Sequence, residues 1–145
     1  MGFSLVGAAA ILGVSILVIM EIIVGTTIPT VTNIQDSYRD MKNRAIEQVQ
    51  TDINITSATA VANGSSHHDL TFIVNNTGST SLETADFDVI VNGTKVTFTC
   101  ATTYLFPENE ATFTVNYIDG RSVSRRLKVI TENGIEDYFT YNVSW

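Results

Sequence analysis

Residues 1–28, MGFSLVGAAAILGVSILVIMEIIVGTTI, form an apolar stretch in which Glu21 is the only charged residue. At a rise of about 1.5 Å per residue, a helix over residues 2–25 crosses a hydrocarbon core of about 30 Å. No lysine or arginine precedes the apolar run, as a secretory signal or a pilin leader would require, and the run is too long for a signal peptide. The sequence therefore predicts an uncleaved anchor over residues 1–28 that is surrounded by membrane lipid.

Two features of the anchor predict contacts with other helices. Gly7, Ala9 and Gly13 belong to a low-profile face that allows close helix packing, although ordinary membrane composition is the alternative explanation. Glu21 lies near the end of the span, where an acid costs little, and we expect it at the membrane interface. The alternative for Glu21 is a buried ion pair with a neighbouring subunit's N-terminal amine or a lysine.

A helical stalk is predicted over residues 29–50. Pro29 removes a backbone donor, so a break or kink is expected there. After it, apolar residues recur at helical spacing of three and four: Val31, Ile34, Tyr38, Met41, Ala45 and Val49. This stripe needs a surface to lie on, which is either the β domain of the same chain or the same stripe of a second chain.

From residue 51 to residue 145 the apolar period changes to two, which predicts β-strands. Turn residues separate the alternating runs, among them Asn-Gly at 92–93 and Asp-Gly at 119–120. The predicted fold is mainly β, an immunoglobulin-like antiparallel sandwich of seven strands after the helix. The alternating runs are Ile53–Ile55, Leu70–Phe72–Val74, Phe87–Val89–Val91, Val96–Phe98–Cys100, Ala111–Phe113–Val115–Tyr117, Val123–Leu127–Val129 and Phe139–Tyr141–Val143–Trp145.

Charge and motifs exclude several functions. Residues 51–145 hold eleven acids and five bases, net −6, so nucleic acid is not expected as a partner. Cys100 is the only cysteine and is interpreted as a small core residue. His67, His68 and Asp69 could bind a metal, but adjacent residues of a strand point to opposite faces, and we expect a solvated loop. No catalytic motif occurs, so we expect no enzyme, no cofactor and no metal.

Five N-x-[ST] sequons predict that the β domain lies outside the membrane. All five asparagines are expected to point outward, three of them at turns; they are Asn54, Asn63, Asn75, Asn92 and Asn142. The alternative is a polar, asparagine-rich β surface without sugars. Three bases that follow the span would, by the positive-inside rule, place the domain in the cytoplasm; they are Arg39, Lys42 and Arg44.

Several runs resemble the FlaF (ArlF) family of archaellum accessory proteins. The opening MGFS-x-x-x-A-x-A-I is similar to the start of these proteins, and four runs of the β domain are similar to theirs. These runs are LTFIVNNTGSTSL at 70–82, DFDVIVNG at 86–93, YLFPENE at 104–110 and RRLKVITENG at 125–134.

The resemblance implies a membrane-anchored stator component of the archaellum motor. It implies an outer β domain that binds the surface-layer protein, a FlaG-like partner, and a homodimer formed through the sandwich. Strand edges near 86–91 and 111–118 are the expected partner face, with Asp86, Asp88, Phe113 and Val115 as its candidates. The alternatives are a polymerising archaellin or type IV pilin-like subunit and the sister stator protein FlaG.

Overall fold

The computed structural model describes residues 2–120 and 124–144. The chain forms two compact units, Met1–Asn43 and Arg44–Trp145. Its helical part consists of α1 (Gly2–Ile22), a π-helical segment (Ile23–Thr27) and α2 (Ile28–Gln50). By length and composition this helix is able to cross a membrane. The predicted class, a β domain preceded by an apolar helix, is confirmed.

The helix continues through Pro29, so of the predicted break or kink the break does not occur. The proline lacks the N–H that would bond to the carbonyl of Gly25, and its ring would crowd that carbonyl in a regular α-helix. The π-helical segment Ile23–Thr27 contains Gly25 and widens the helix at this point. The Thr30 hydroxyl also donates to the carbonyl of Thr26 at 2.7 Å. Local widening thus replaces the expected break.

Ten strands and one 3₁₀ turn make up the described β domain. The strands are β1 (Ile53–Asn63), β2 (His67–Asn76), β3 (Leu82–Glu83), β4 (Asp88–Val91), β5 (Thr94–Val96), β6 (Thr99–Cys100), β7 (Tyr104–Leu105), β8 (Glu110–Asp119), β9 (Ser124–Ile130) and β10 (Glu136–Ser144), with the 3₁₀ turn at Thr84–Asp86. Eight of them form one curled sheet in the order β5-β4-β9-β10-β1-β2-β8-β6, and β3 pairs with β7. Strands β10 and β1 pair in parallel over two residue pairs, Ala60↔Val143 and Val61↔Ser144.

The core lies between the β5-β4-β9-β10 half of the sheet and the β1-β2-β8-β6 half. Phe113 of β8 stacks on Phe72 of the neighbouring strand at a centroid distance of 5.2 Å. It also stacks on Phe87, which precedes β4 in the other half, at 5.6 Å. Most of the predicted inward residues of β1, β2, β4, β8, β9 and β10 are buried, which confirms the alternation in those strands.

Two predicted alternations are wrong in part. Val96, Phe98 and Cys100 do not share a strand, because β5 and β6 lie on opposite edges of the curled sheet. In β8 the alternation ends at Val115: Tyr117 is 69% exposed and Ile118 is buried instead. Tyr117 has a positive φ of 58°, and the pairing of β2 with β8 shifts register at the same level, between His68 and Leu70. Val123 and Trp145 lie outside the described residues.

The last turn of α2 is fixed to the β domain within the second unit. The amide of Ser79 donates to the carbonyl of Gln50 at 2.8 Å, and the amides of Thr77 and Gly78 donate to the carbonyl of Asp52 at 3.0 Å. A Cβ at Gly78 would collide with the backbone at Gln50 and Asp52. A glycine at this position therefore lets the chain after β2 approach the end of the helix.

Candidate functional site

One outer sheet surface carries a cluster of basic and aromatic side chains. A single cross-strand row joins Lys95 of β5, Ile90 of β4, Lys128 of β9 and Tyr138 of β10. Arg126 belongs to the same surface, since it lies two residues from Lys128 in β9. We call this surface, made of Lys95, Ile90, Arg126, Lys128 and Tyr138 with the acids Asp88 and Glu136, the basic face.

Two cations of the basic face, Arg126 and Lys128, contact the ring of Tyr138. The guanidinium carbon of Arg126 lies 4.1 Å from the centroid of the Tyr138 ring, and Lys128 Nζ lies 5.1 Å from it. The Tyr138 hydroxyl donates to Glu136 Oε1 at 2.7 Å, and Glu136 also forms an ion pair with Lys128. The hydrogen bond between Lys128 and Glu136 raises the pKa of Lys128 and lowers the pKa of Glu136.

Arg126 is the cation of the basic face that forms no ion pair with a carboxylate among the described residues, although its charge helps to lower the pKa of Glu136. Lys95 is paired with Asp88 at 2.5 Å, and Lys128 is paired with Glu136. In the described part of the chain no ion pair joins Arg126 to a carboxylate, and its side chain is exposed. A guanidinium stacked on an aromatic ring and open to solvent suits recognition of a carboxylate or another oxyanion.

The opposite outer surface of the β domain is uncharged over its central rows. One row across four strands consists of Thr59 of β1, Thr71 of β2, Thr114 of β8 and Thr99 of β6. The next row contains Ser57, Ile73 and Thr112. We call these seven residues the hydroxyl face. Because one face is cationic and the other carries no charge, the two surfaces fit different partners.

An open cavity of about 600 Å³ lies beside strands β5 and β6. Phe87, Val96 and Phe98 supply apolar lining, and several threonines supply hydroxyls. Its charged lining residues, Asp88 and Lys95, bind each other. The cavity is therefore a mixed polar and apolar recess at the margin of the basic face.

A buried polar cluster lies on the core side of β2, β9 and β10. His68 is fully buried, and its Nε2 lies 2.9 Å from the Tyr141 hydroxyl. Burial lowers the pKa of His68, and the charge of Arg125, itself 6% exposed, lowers it further. Burial also raises the pKa of Tyr141 to about 12. The cluster is neutral at His68 and Tyr141 near pH 7, with Arg125 as its charged member.

The two adjacent histidines correct one expectation and confirm another. They lie in strand β2 and not in a solvated loop, because His68 continues the inward file of Leu70, Phe72 and Val74. They do point to opposite faces, as expected: His67 is partly exposed and its Nε2 lies 2.7 Å from Asp119 Oδ1. Over residues 2–120 and 124–144 there is no group of three histidine, cysteine or acidic side chains placed to hold a metal ion.

The four residues named for a partner face do not form one surface. Phe113 and Val115 are 0% and 1% exposed, so they support the sheet from beneath. Asp86 is exposed in the 3₁₀ turn before β4, and Asp88 lies in β4 within the basic face. Sequence reasoning did not find the basic face, although the alternation in β9, which places Arg126 and Lys128 opposite Leu127 and Val129, contains the signal.

The sequons differ in their exposure. Asn54, Asn92 and Asn142 are exposed, whereas Asn63 and Asn75 are partly buried. The amide nitrogen of Asn63 donates to Asp69 Oδ2 at 2.9 Å. Three of the five asparagines are thus exposed, although Asn92 Oδ1 accepts a hydrogen bond from the amide of Arg126 at 2.9 Å.

The residues named for helix contacts lie on α1. Gly7, Ala9, Gly13 and Glu21 are all exposed within that helix. A Cβ at Gly7 or Gly13 would meet no atom within 4 Å, so both glycines leave room for a neighbouring helix.

Comparison with known proteins gives the following matches. Residues 2–143 match the archaeal-type flagellin family. A protein of Archaeoglobus fulgidus whose function is uncharacterised is 33% identical over 137 residues, covering 87% of this chain and 82% of that protein.

Two solved structures from Sulfolobus acidocaldarius are similar to the β domain. The archaellum periplasmic stator protein FlaG is 20% identical with a TM-score of 0.53, and the match covers 63% of this chain and 99% of FlaG. A chain of the archaellum periplasmic stator protein complex of FlaF and FlaG is 17% identical with a TM-score of 0.49, covering 61% of this chain and 87% of that chain. At 20% identity the likeness to FlaG concerns the fold.

Proposed function

Because the chain belongs to the archaeal-type flagellin family, we propose that it is a membrane-anchored, non-catalytic stator component of the archaellum motor. In this proposal α1 lies in the membrane, and the β domain lies outside it and binds the surface-layer protein. The family match covers both the apolar helix and the β domain, which fits a membrane-anchored archaellum protein. The observation that carries the stator proposal is that the β domain has the fold of a protein described as an archaellum periplasmic stator.

A rotating filament exerts torque on the structure that holds its base. A motor needs a static part, and a protein held by one membrane span alone would drift in the fluid bilayer. A β domain docked on the cell-wall lattice supplies a fixed reaction point. The β domain is suited to this task because its rigidity comes from a packed aromatic core and from strands joined in one sheet.

We assign docking on the lattice to the basic face. Arg126 is exposed, stacks on Tyr138 and forms no ion pair with a carboxylate among the described residues. The domain has a net charge of −6 from eleven acids and five bases. An acidic partner would therefore be repelled by most of the domain surface and attracted by the basic face. Asp88, one of the residues expected at a partner face, lies on this surface, where it holds Lys95.

The remaining partners follow from the same proposal. A FlaG-like protein and a second copy of the chain bind the β domain in the assembled stator. Sugars on Asn54, Asn92 and Asn142, whose side chains are exposed, are compatible with a domain outside the membrane.

A filament subunit is the second candidate function. It is favoured by the family itself, which is that of archaeal-type flagellins, and by an N-terminal helix whose side chains are exposed on all sides within its own unit. The mass of the mature protein separates the two candidates, because a filament subunit loses a leader and the stator component retains Gly2 or Met1. The sister protein FlaG, whose fold the β domain shares, is the third candidate.

Binding to isolated surface-layer sheets tests the proposal. Full-length protein in lipid nanodiscs is sedimented with the sheets, and we expect it in the pellet at micromolar concentration. Loss of one charge-assisted contact costs about 1.5–3 kcal/mol, so Arg126→Glu should weaken binding at least about tenfold. Thr112→Glu introduces the same carboxylate on the hydroxyl face, with a change in net charge of −1 against −2 for Arg126→Glu, and should leave binding unchanged.

The possible outcomes distinguish a failure of the proposed function from a failure of the assignment of binding to the basic face. Wild-type protein that stays in the supernatant at both low and high salt contradicts the proposed function. Wild-type binding that is lost in Thr112→Glu and kept in Arg126→Glu contradicts only the assignment to the basic face.

A further inference from the structure

The apolar stripe of α2 follows a heptad pattern on an unbroken helix. Val31, Ile34, Tyr38 and Met41 recur at steps of three, four and three, and Ala45 follows after four more residues. If Val31 is position a of a heptad, these residues occupy a and d throughout. The first four side chains are 49–64% exposed, so a large apolar surface remains to be covered.

The same surface contains a hole of the kind that a coiled-coil partner fills. A shallow cavity of about 530 Å³ lies on α2 and is lined by Thr30, Asn33, Ile34, Ser37, Tyr38 and Met41. Four of these residues, Ile34, Ser37, Tyr38 and Met41, occupy successive d, g, a and d positions. Four residues of this arrangement form the hole that receives a knob side chain from the facing helix.

We propose that α2 pairs with α2 of a second copy as a parallel two-stranded coiled coil in which the knob is the partner's Tyr38. Each chain then supplies the same knob and the same hole, so the contact is closed by two-fold symmetry. The inference rests on the membrane anchoring in the proposed function, because two chains anchored in one membrane with the same orientation present their stalks in parallel and at the same height. This contact is separate from the dimer contact expected in the β sandwich.

The charges beside the stripe are compatible with a second copy. Lys42 and Arg44 are the charged residues at e and g positions. In a parallel pair a g position faces the e position of the following heptad, so Lys42 meets the partner's Ser37 and Arg44 meets the partner's Val49. No like charges therefore face each other. The acids of this segment lie at outward positions; they are Asp36, Asp40 and Glu47.

The membrane offsets the shortness of the stripe. A helix segment of two to three heptads is marginal as an isolated coiled coil in water. Two anchors that share one membrane raise the effective concentration of each stalk near the other, which favours pairing without any additional contact.

Site-directed disulfide formation in the full chain tests the pairing. In a Cys100→Ser background, single cysteines replace Ile34 or Met41 in the stripe, and Asp36 or Asn43 at the opposite f positions as controls. Cysteines bridge only when their Cα atoms approach within about 7 Å. After mild oxidation of native membranes, we expect disulfide-linked dimers from Ile34→Cys and Met41→Cys, and no dimers above the background of the cysteine-free protein from the two controls.

Other outcomes overturn the inference. Equal dimer formation at all four positions indicates a bundle or random collision, and a cross-link from Met41→Cys to a different membrane protein indicates a different partner. Absence of dimers at both stripe positions, while thermal unfolding shows an intact β domain, excludes the paired stalk. None of these results depends on binding to the surface-layer sheets, so this inference and the proposed function fail separately.

Discussion

The Nε2 atom of His68 lies 2.9 Å from the hydroxyl oxygen of Tyr141, and this hydrogen bond joins β2 to β10 inside the core. Both side chains are buried, at 0% and 3% exposure. A buried polar group is tolerated only when it has a partner, so the bond ties the two halves of the curled sheet together.

Tyr141→Phe should destabilise the β domain. The change removes the hydroxyl and leaves one bond of the buried imidazole unmade, which costs about 1–3 kcal/mol. Thermal unfolding of the full chain in detergent, followed by circular dichroism, measures the loss. Tyr104→Phe is the matched control, because Tyr104 is 50% exposed, and it should change the free energy of unfolding by no more than about 0.5 kcal/mol.

Acidification should weaken the domain through His68. Burial and the charge of Arg125 lower the pKa of His68 below its ordinary value of 6.5. The unfolded chain therefore binds a proton at a higher pH than the folded chain, and stability is lost as the pH falls from about 6.5 through the folded pKa. The free energy of unfolding of wild type should exceed that of His68→Gln by less at pH 5 than at pH 8. If this difference is the same at both pH values, the assignment to His68 is wrong. It is also wrong if the difference between wild type and His67→Gln decreases by the same amount.

Phe113→Ala should cost about 3–5 kcal/mol, the range for deleting a buried phenylalanine. The ring lies between those of Phe72 and Phe87, at 5.2 and 5.6 Å. Phe106→Ala removes the same side chain at a position that is 54% exposed and should cost far less. Similar midpoints of urea unfolding for the two variants would show that Phe113 is not the centre of the core.

Gly78→Ala should loosen the joint between α2 and the β domain. An added Cβ would meet the backbone at Gln50 and Asp52, so the chain must shift, at a cost of about 1–3 kcal/mol. Ser79→Ala, at the exposed neighbouring position, keeps the amide bond to Gln50 and should be nearly neutral. Hydrogen exchange at the amides of Thr77 and Ser79 should accelerate in Gly78→Ala only.

The sequence predicted the elements whose pattern is local. The alternation of Leu70, Phe72 and Val74 specifies a half-buried strand, and the Asn-Gly pair at 92–93 specifies a tight turn, which the structure forms with φ angles of 49° and 86°. The apolar length of residues 1–28 is likewise sufficient to predict the first helix.

Features set by long-range contacts could not be predicted in this way. Alternation places Tyr117 inward, but a register shift against β2 and a bond from its amide to Asp69 Oδ1 turn it outward. Pro29 predicts a break or a kink, and the break does not occur because the widened turn at Gly25 accommodates the proline. The basic face places Lys95 of β5 in one row with Lys128 of β9, across β4, because β4 pairs with β9, and no local pattern contains that long-range pairing.

The sidedness of the β domain tests the central claim most directly. In a Cys100→Ser background, a single cysteine at the exposed position Thr112 is treated in intact cells with a membrane-impermeant maleimide. The account predicts that the cysteine is labelled in intact cells to the same extent as after lysis. Labelling that occurs only after lysis would place the β domain in the cytoplasm and contradict an anchor that docks on the cell wall.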